Sequence, residues 1–460
     1  RENFVSVEHL KRYTTQGMAP DQGKTSNVNA LAIMASLTGR SPPQVGTIRS
    51  RFPAVPMSLG ALAGGARGQF FRPMRRLPLH DWHALHGAVF EEYSGWARPA
   101  HYLRSGELPA DAEQREALAV RRSVGLFDAS PLGKIEVVGP DAAAFLDRIY
   151  ANTMSSLKVG RLRYGLMLNE HGVVIDDGVA ARLGDDRFLV GTTSGGADRI
   201  ALALEEWLQC EWSSMRVLVA PLTTSLAVLT LTGPKARDVL GALGVSFPID
   251  AAAFPHMSFR DGHVGGVPAR VSRVSFTGEM SFEIAVANSR SAQLWEAFMA
   301  VGATFGITPV GVDAWMLLRT EKGYLHIGAD TDGSTSPDDI GWGHIHKRDV
   351  DFVGRRSLLR ADFQRADRHQ FVGFEPVDGS ELRVGSHLRA RAATAGTEGY
   401  VTSSGYSQTM GRWVALGMLR AGRSRIGEVL TTLSGQGRGP VLARVTLPGS
   451  YDLNGDRLRE

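Results

Sequence analysis

An α+β fold, built from two related halves and closed by an all-β domain, is what this chain of 460 residues predicts. Three observations carry the prediction. Strand-like and helix-like runs intermingle between residues 76 and 370, which points to mixed layers over a largely antiparallel sheet. The junctions Gly139-Pro140-Asp141 and Gly233-Pro234-Lys235 each stand between a strand and a helix, and the elements around them recur loosely in the same order. From Phe371 onward, short alternating stretches broken by glycines read as β structure.

Composition narrows the class of protein. The chain is too long for one core, so two to four packed units are expected. Hydrophobic content of 43% and charged content of 21% are those of an ordinary globular protein. A net charge of +4 comes from 51 basic and 47 acidic residues that are well mixed. With no long basic run, this pattern speaks against nucleic acid and for an anionic small ligand or an acidic partner. Cys210 is the single cysteine, which excludes a disulfide framework or a cysteine-rich metal site and fits a reducing cytoplasm. No apolar run is long enough to span a bilayer, and no secretory signal opens the sequence. The first residue is Arg1, so we expect it to be internal to a longer polypeptide whose first domain is missing here.

Taken in order, the stretch Lys11 to Asn27 is rich in glycine, hydroxyl and basic groups and leads into a helix over Val28–Leu37. Lys24-Thr25-Ser26 at a helix start suits a phosphate, and Ser26 or Asn27 as a simple N-cap explains the same residues. Residues 39–75, with Ser41-Pro42-Pro43 and Gly64-Gly65, read as an extended linker. Next come a helix over Leu79–Phe90, an aromatic and basic loop over Trp96–Arg104, and a helix over Asp111–Val124. A strand over Lys134–Val138 and a helix over Ala142–Tyr150 follow. Strands at Gly178–Arg182 and Phe188–Thr192 then precede a long helix, Gly196–Gln209. The second half offers strands at Leu226–Thr232, Ala269–Phe276 and Phe282–Ala287, and helices from Gly233 to Leu243 and from Ala292 to Phe305. Leu317–Tyr324 ends a helix at Gly323. Asp330–Asp339 is a polar turn; Gly341 occupies the position where a calcium loop needs its glutamate, which excludes that motif. His344 and His346 lack further ligands at metal spacing, so no metal is assigned.

Between these elements, Tyr164 to Asp177 reads as a hairpin in which two adjacent acids stand where the second strand meets the core. Strand alternation sends Asp176 and Asp177 to opposite faces, and the inward one needs a partner or a purpose.

Gly125-Leu126-Phe127-Asp128-Ala129-Ser130, Met167-Leu168-Asn169 through Asp176-Asp177, Thr277-Gly278-Glu279 to Phe282-Glu283, and Thr402 through Gly411 stand in an order that resembles the tetrahydrofolate-binding aminomethyltransferase (glycine-cleavage T-protein) family. Lys11–Asn27, Leu79-His80-Asp81-Trp82-His83, Lys322-Gly323-Tyr324 and Asp330–Asp339 narrow the resemblance to the C-terminal part of heterotetrameric sarcosine oxidase alpha subunits.

The resemblance implies a three-domain folate-binding fold. Residues 76–370 would form the folate domain and 371–460 a C-terminal β-barrel, and 1–38 would be the tail of a dinucleotide-binding domain. It implies tetrahydrofolate in this chain, FMN and FAD in or beside a beta subunit, and NAD in the missing N-terminal domain. The implied partners are beta, gamma and delta subunits, in the cytoplasm, with neither nucleic acid nor membrane. Asp177 falls on the family's catalytic carboxylate and Glu283 on the acid that reads the pterin. Thr192, Tyr164, Met167 and Phe276 fall along the folate cleft. Phe276 stands where standalone T-proteins carry a tyrosine, and Asp313-Ala314-Trp315-Met316 lacks their arginine, which makes transfer from a lipoyl carrier less fitting. The readings left open are a folate domain serving another N-methyl amine, such as dimethylglycine, and a non-catalytic scaffold.

Overall fold

The computed structural model describes residues 2–345, 350–391, 396–433 and 439–460. They form two compact units, Arg1–Met74 and Arg75–Glu460. The first unit holds α1 (Val7–Tyr13), α2 (Asn27–Thr38), α3 (Pro42–Val45) and α4 (Leu59–Ala63). Ser6 caps α1 by accepting the Glu8 N–H, and Gly39 closes α2 in the left-handed region at φ 68°. Val7, Met34, Ala35 and Val45 are buried together, so the stretch read as a linker adds two short helices, α3 and α4, and a core side chain to this unit. Thr25 donates to Asp21, and the Gln16 amide bonds both Ser26 and Asn27, which engages the polar groups of the Lys11–Asn27 stretch with one another.

The second unit opens with β1 (Arg75–Arg76), α5 (His80–Leu85), β2 (Ala88–Tyr93) and β3 (Trp96–Tyr102), the strands forming a small sheet in the order β1-β3-β2. Two expectations are corrected here. The helix read over Leu79–Phe90 stops at Leu85, because Gly87 takes φ 82° and a Cβ there would lie 2.8 Å from the Leu103 carbonyl oxygen. The loop read over Trp96–Arg104 is instead β3, buried along its whole length. Its polar side chains have partners: His101 bonds Asp313, and the Arg98 guanidinium lies over the Tyr93 and Phe127 rings.

After α6 (Pro109–Arg122), the first half runs β4 (Val124–Asp128), β5 (Gly133–Val138), α7 (Ala142–Ile149), β6 (Leu162–Leu168), β7 (Val174–Gly184), β8 (Arg187–Thr192), α8 (Ala197–Glu206) and β9 (Leu218–Pro221). The second half runs β10 (Leu226–Thr232), α9 (Ala236–Leu243), β11 (Ser258–Val264), β12 (Val267–Arg273), β13 (Ser281–Ala287), α10 (Ser291–Gly302) and β14 (Ile307–Pro309). The sheets are ordered β6-β7-β8-β5-β9 and β11-β12-β13-β10-β4-β14. Hairpin, third strand and first strand recur in the same spatial order, so the repetition legible at the Gly-Pro junctions is a duplicated topology. Those junctions demand glycine: Gly139 and Gly233 have φ of 139° and 128°, and a Cβ would meet backbone oxygens at 2.1 and 2.5 Å. Strand β11 carries Arg260, Asp261, Gly262 and His263 in a row, which hides it from a reading based on apolar alternation.

Helices α7 and α8 cover one face of the first sheet, over Ile135, Val137, Ala180, Phe188 and Val190. Helices α9 and α10 do the same for the second, over Leu229, Leu231, Phe282 and Ile284. The uncovered faces turn toward each other. Leu162 and Ala181 of one are buried with Phe259 and Val274 of the other, and the outer strands are stitched by Leu162 N–H to Met257 O at 3.0 Å and Phe259 N–H to Gly160 O at 3.2 Å.

Helix α11 (Val312–Lys322) ends at Gly323, in the left-handed region as expected, and the chain later closes as a barrel. Its strands are β15 (His369–Pro376), β16 (His387–Ala390), β17 (Gly399–Ser407), β18 (Arg412–Arg420), β19 (Val429–Thr432) and β20 (Leu442–Thr446). Closure leaves no open edge among them. Arg319 of α11 fastens the barrel by donating to Asp330 at 2.6 Å and to Ser403. Arg121 of α6 lies between Glu279 and Glu321, and Ser407 of β17 donates to Glu321 at 2.5 Å. In the polar turn, Asp330 pairs with Arg319, Asp332 accepts from Ser334 and Thr335, and Asp339 pairs with Arg368. Among the described residues, no helix is long and apolar enough to cross a membrane.

Candidate functional site

In an antiparallel sheet, paired residues share a face and chain neighbours alternate. Leu166 pairs with Asp177, and Met167 with Asp176, so the two acids point to opposite faces. Asp176 is fully buried on the helix side. Its carboxylate accepts the Asp177 N–H at 2.9 Å, and the Thr193 N–H and hydroxyl at 3.2 Å each. A Cβ on Gly196 would lie 1.6 Å from Oδ2, so Asp176 ties β7 tightly to the start of α8.

Asp177 lies on the inner face, between the sheets, and is half-buried. Tyr164, on the same face, donates its hydroxyl to Asp177 Oδ2 at 2.7 Å and packs against Trp342 at 4.7 Å. Burial pushes the Asp177 carboxyl up to about 7, the Tyr164 hydrogen bond opposing and the neighbouring Asp176 charge adding to it.

Glu283 of β13 pairs with Thr230 and Ser272, while its neighbour Ile284 faces the helix-side core. The glutamate therefore presents to the inner face, opposite the sheet that bears Asp177. Burial raises its carboxyl to about 7, and the Lys134 ammonium opposes the rise. Lys134, on β5 of the first sheet, is buried and donates to the Ser130 and Leu132 carbonyls at 2.7 and 2.8 Å. Thr230, the residue paired with Glu283, has its Oγ1 buried with no hydrogen-bond partner among the described residues. An aromatic slab completes the inner face: Phe127 stacks on Trp315 at 4.1 Å and 4°, and Phe276 lies 6.1 Å from Trp315.

Of the residues singled out in the sequence, Asp177, Tyr164, Glu283 and Phe276 thus belong to the two inner faces. Met167 and Thr192 do not join them. Met167 is 2% exposed within the core under α7 and α8, and Thr192 donates to the Thr193 carbonyl on the Asp176 side. Alternation, which a list of nearby residues ignores, separates them. Lys134 escaped the sequence reading as the mere start of a strand. Its signal is a lone lysine at the start of a strand whose next residues, Ile135 and Val137, are buried. Among the described residues, no group of three or more His, Cys, Asp or Glu could hold a metal ion. His344 lies 5.5 Å from Trp342, and His346 falls outside the described residues.

Chemically, the inner faces offer a flat aromatic surface, a carboxylate able to accept two N–H donors, and a second acid that exchanges its proton near neutrality. Such a site suits a planar heterocycle rich in N–H groups with a reactive nitrogen beyond it.

Comparison with known proteins bears on the same elements. The GCVT N-terminal domain family matches residues 79–349, the glycine cleavage T-protein C-terminal barrel domain matches 369–452, and the sarcosine oxidase A3 domain matches 1–66. The chain is 46% identical over 435 residues to a sarcosine oxidase subunit alpha of Corynebacterium sp. (strain U-96), covering 93% of this chain and 45% of that one. It therefore spans about half the length of the sarcosine oxidase relatives it matches. An aminomethyltransferase of Thermotoga sp. (strain RQ2) is 32% identical over 346 residues, covering 75% of this chain and 90% of the relative. The crystal structure of the glycine cleavage system aminomethyltransferase T from Bartonella henselae superposes with a TM-score of 0.72 at 26% identity, over 84% of this chain and 99% of that one. A family match over more than half of the residues, together with a relative covered almost end to end, makes this chain a member of the aminomethyltransferase (glycine-cleavage T-protein) family.

Proposed function

We propose that this chain is the folate-binding part of a sarcosine oxidase alpha subunit. It would pass the one-carbon unit released from sarcosine to tetrahydrofolate, giving 5,10-methylenetetrahydrofolate, with glycine and hydrogen peroxide as the other products of the complex. The observation that carries this reading is the placement of Asp177 and Glu283 on facing inner faces beside the Phe127–Trp315–Phe276 slab. In this reading the slab stacks the pterin, and Glu283 accepts from its ring N–H and 2-amino groups. Ionised Asp177 orients the folate amine and favours its attack on an iminium or formaldehyde carbon, taking up a proton or balancing the positive charge that develops. Tyr164 holds that carboxylate in place.

Oxidation of the amine belongs to flavin chemistry, with FMN and FAD in or beside a beta subunit. NAD belongs to a dinucleotide-binding domain outside these residues. The likeness to sarcosine oxidase alpha chains supports a multi-subunit assembly, in which the partners would be beta, gamma and delta subunits.

The test is substitution of Glu283 by Gln in the assembled complex, titrated calorimetrically with 5-formyltetrahydrofolate. Losing one charge-assisted acceptor should weaken binding by about 2 kcal/mol, roughly 30-fold. A loss smaller than threefold removes Glu283 from the folate site. Free formaldehyde, formed from sarcosine at an undiminished rate, should replace methylenetetrahydrofolate in an Asp177→Asn complex.

A further inference from the structure

Lys134 is a buried cation that the mechanism above does not use. It lies on β5, on the inner face shared with Asp177, and is 5% exposed. Two of its three N–H groups are committed to the Ser130 and Leu132 carbonyls, at 2.7 and 2.8 Å. Those carbonyls belong to a tight turn, closed by Leu132 N–H to Ala129 O at 3.0 Å, so the ammonium is held in one place. The carboxylates within its electrostatic reach are Asp128 and Glu283. Asp128 is already served: His83 Nε2 contacts it at 3.1 Å, the Ser130 N–H donates to it at 3.0 Å, and Arg98 lies near it on the other side. The turn that holds Lys134 is bonded to β10 of the other sheet, through Ala129 N–H to Val228 O at 2.9 Å and Val228 N–H to Ser130 Oγ at 3.2 Å, and Val228 pairs with Ala285, which stands two residues from Glu283 on the same face.

We propose that Lys134 is a positioning residue for Glu283, a pinned ammonium on the Asp177 sheet that keeps the carboxylate of the opposite sheet charged and turned toward the ligand. The inference rests on Glu283 as the pterin acceptor. It adds a cross-sheet dependence: the acid that reads the ring is set by a residue of the other half. Removing the charge leaves Glu283 buried with nothing to offset the burial, so it takes up a proton and loses one of its two acceptor positions. The ammonium is itself depressed to about 8 by burial, so its support fades in alkaline solution.

The experiment uses the assembled complex and 5-formyltetrahydrofolate, titrated from pH 6 to 9. Lys134→Gln keeps N–H donors for the two carbonyls and removes the charge; Lys134→Arg keeps the charge. We expect Lys134→Gln to weaken binding about threefold at pH 7.5 and to move the acid-side loss of affinity up by about one pH unit. Lys134→Arg should stay within about 1.5-fold of wild type, with its pH profile unmoved. In a Glu283→Gln background, Lys134→Gln should cost less than twofold, because the group it acts through is gone. An unmoved pH profile, or an equal loss in the Glu283→Gln background, overturns the proposal. If Glu283→Gln weakens binding and Lys134→Gln does not, this proposal falls and the folate site stands. If wild type fails to bind the probe, both fall.

Discussion

Asp177→Asn separates what the protein needs from what its fold prefers. Moving a carboxyl from 3.8 to about 7 puts roughly 4 kcal/mol of penalty on the ionised form. Because the side chain is half-buried, solvent and relaxation reduce this to about 1–2 kcal/mol. The folded value lies above the unfolded one, so the native chain binds more protons between the two. Stability therefore falls as pH rises from about 4 to about 7, and above that the whole penalty is present. Asparagine has the same shape and still accepts the Tyr164 hydroxyl, yet carries no charge. The variant should be more stable than wild type by about 1–2 kcal/mol at pH 8, a rise of about 2–5 °C in melting temperature, and equal to it at pH 4.5. Methylenetetrahydrofolate formation should fall by about 100-fold or more, with folate binding within threefold of wild type. Melting curves at the two pH values, paired with a product assay, decide it. A variant that melts lower at pH 8, or gains equally at both pH values, refutes the electrostatic account of Asp177.

Two further substitutions probe the support around it. Tyr164→Phe removes the donor that opposes burial, so the Asp177 carboxyl rises further and the acid limb of methylenetetrahydrofolate formation moves up by about half to one pH unit; an unmoved limb shows that the hydrogen bond does not set the titration. Asp176→Ala strips the acceptor from two N–H groups and a hydroxyl in a buried site, and should cost about 2–4 kcal/mol in denaturant unfolding; a loss below about 1 kcal/mol means that water replaces the carboxylate.

How much of this was legible beforehand depends on the kind of signal. The duplicated halves announce themselves through Gly139-Pro140 and Gly233-Pro234, because positive φ and backbone contact exclude any other residue at the glycine. The barrel shows in its alternation and turns. Strand β11 does not, because its middle residues are charged, and β3 hides polar groups whose partners lie far along the chain, as with His101 and Asp313. In the candidate site, motif order pointed to Asp177 and Glu283, which the fold sets on the two inner faces. It could not assign faces, and so it grouped Met167 and Thr192 with residues that point the other way. Lys134 remained silent because the carboxylate proposed as its partner lies 149 positions later, on a strand it never pairs with.

The duplication offers a sharper way to read such a site. Counting back from the glycine of each junction, Lys134 occupies the place of Val228, since each lies five residues before it. Their cross-strand partners, Gly191 and Ala285, then correspond, and two residues earlier Leu189 corresponds to Glu283. Val228 packs with Phe127, Val312 and Trp315, and Leu189 packs with Phe259 and Val274 of the facing sheet. At these two places one half carries a charge where the other carries an apolar side chain, the cation on the first half and the carboxylate on the second. Charges held between sheets in this way cost more than the apolar residues at the equivalent places unless something else uses them. Packing accounts for the apolar counterparts, and the proposed ligand between the sheets would account for the charges.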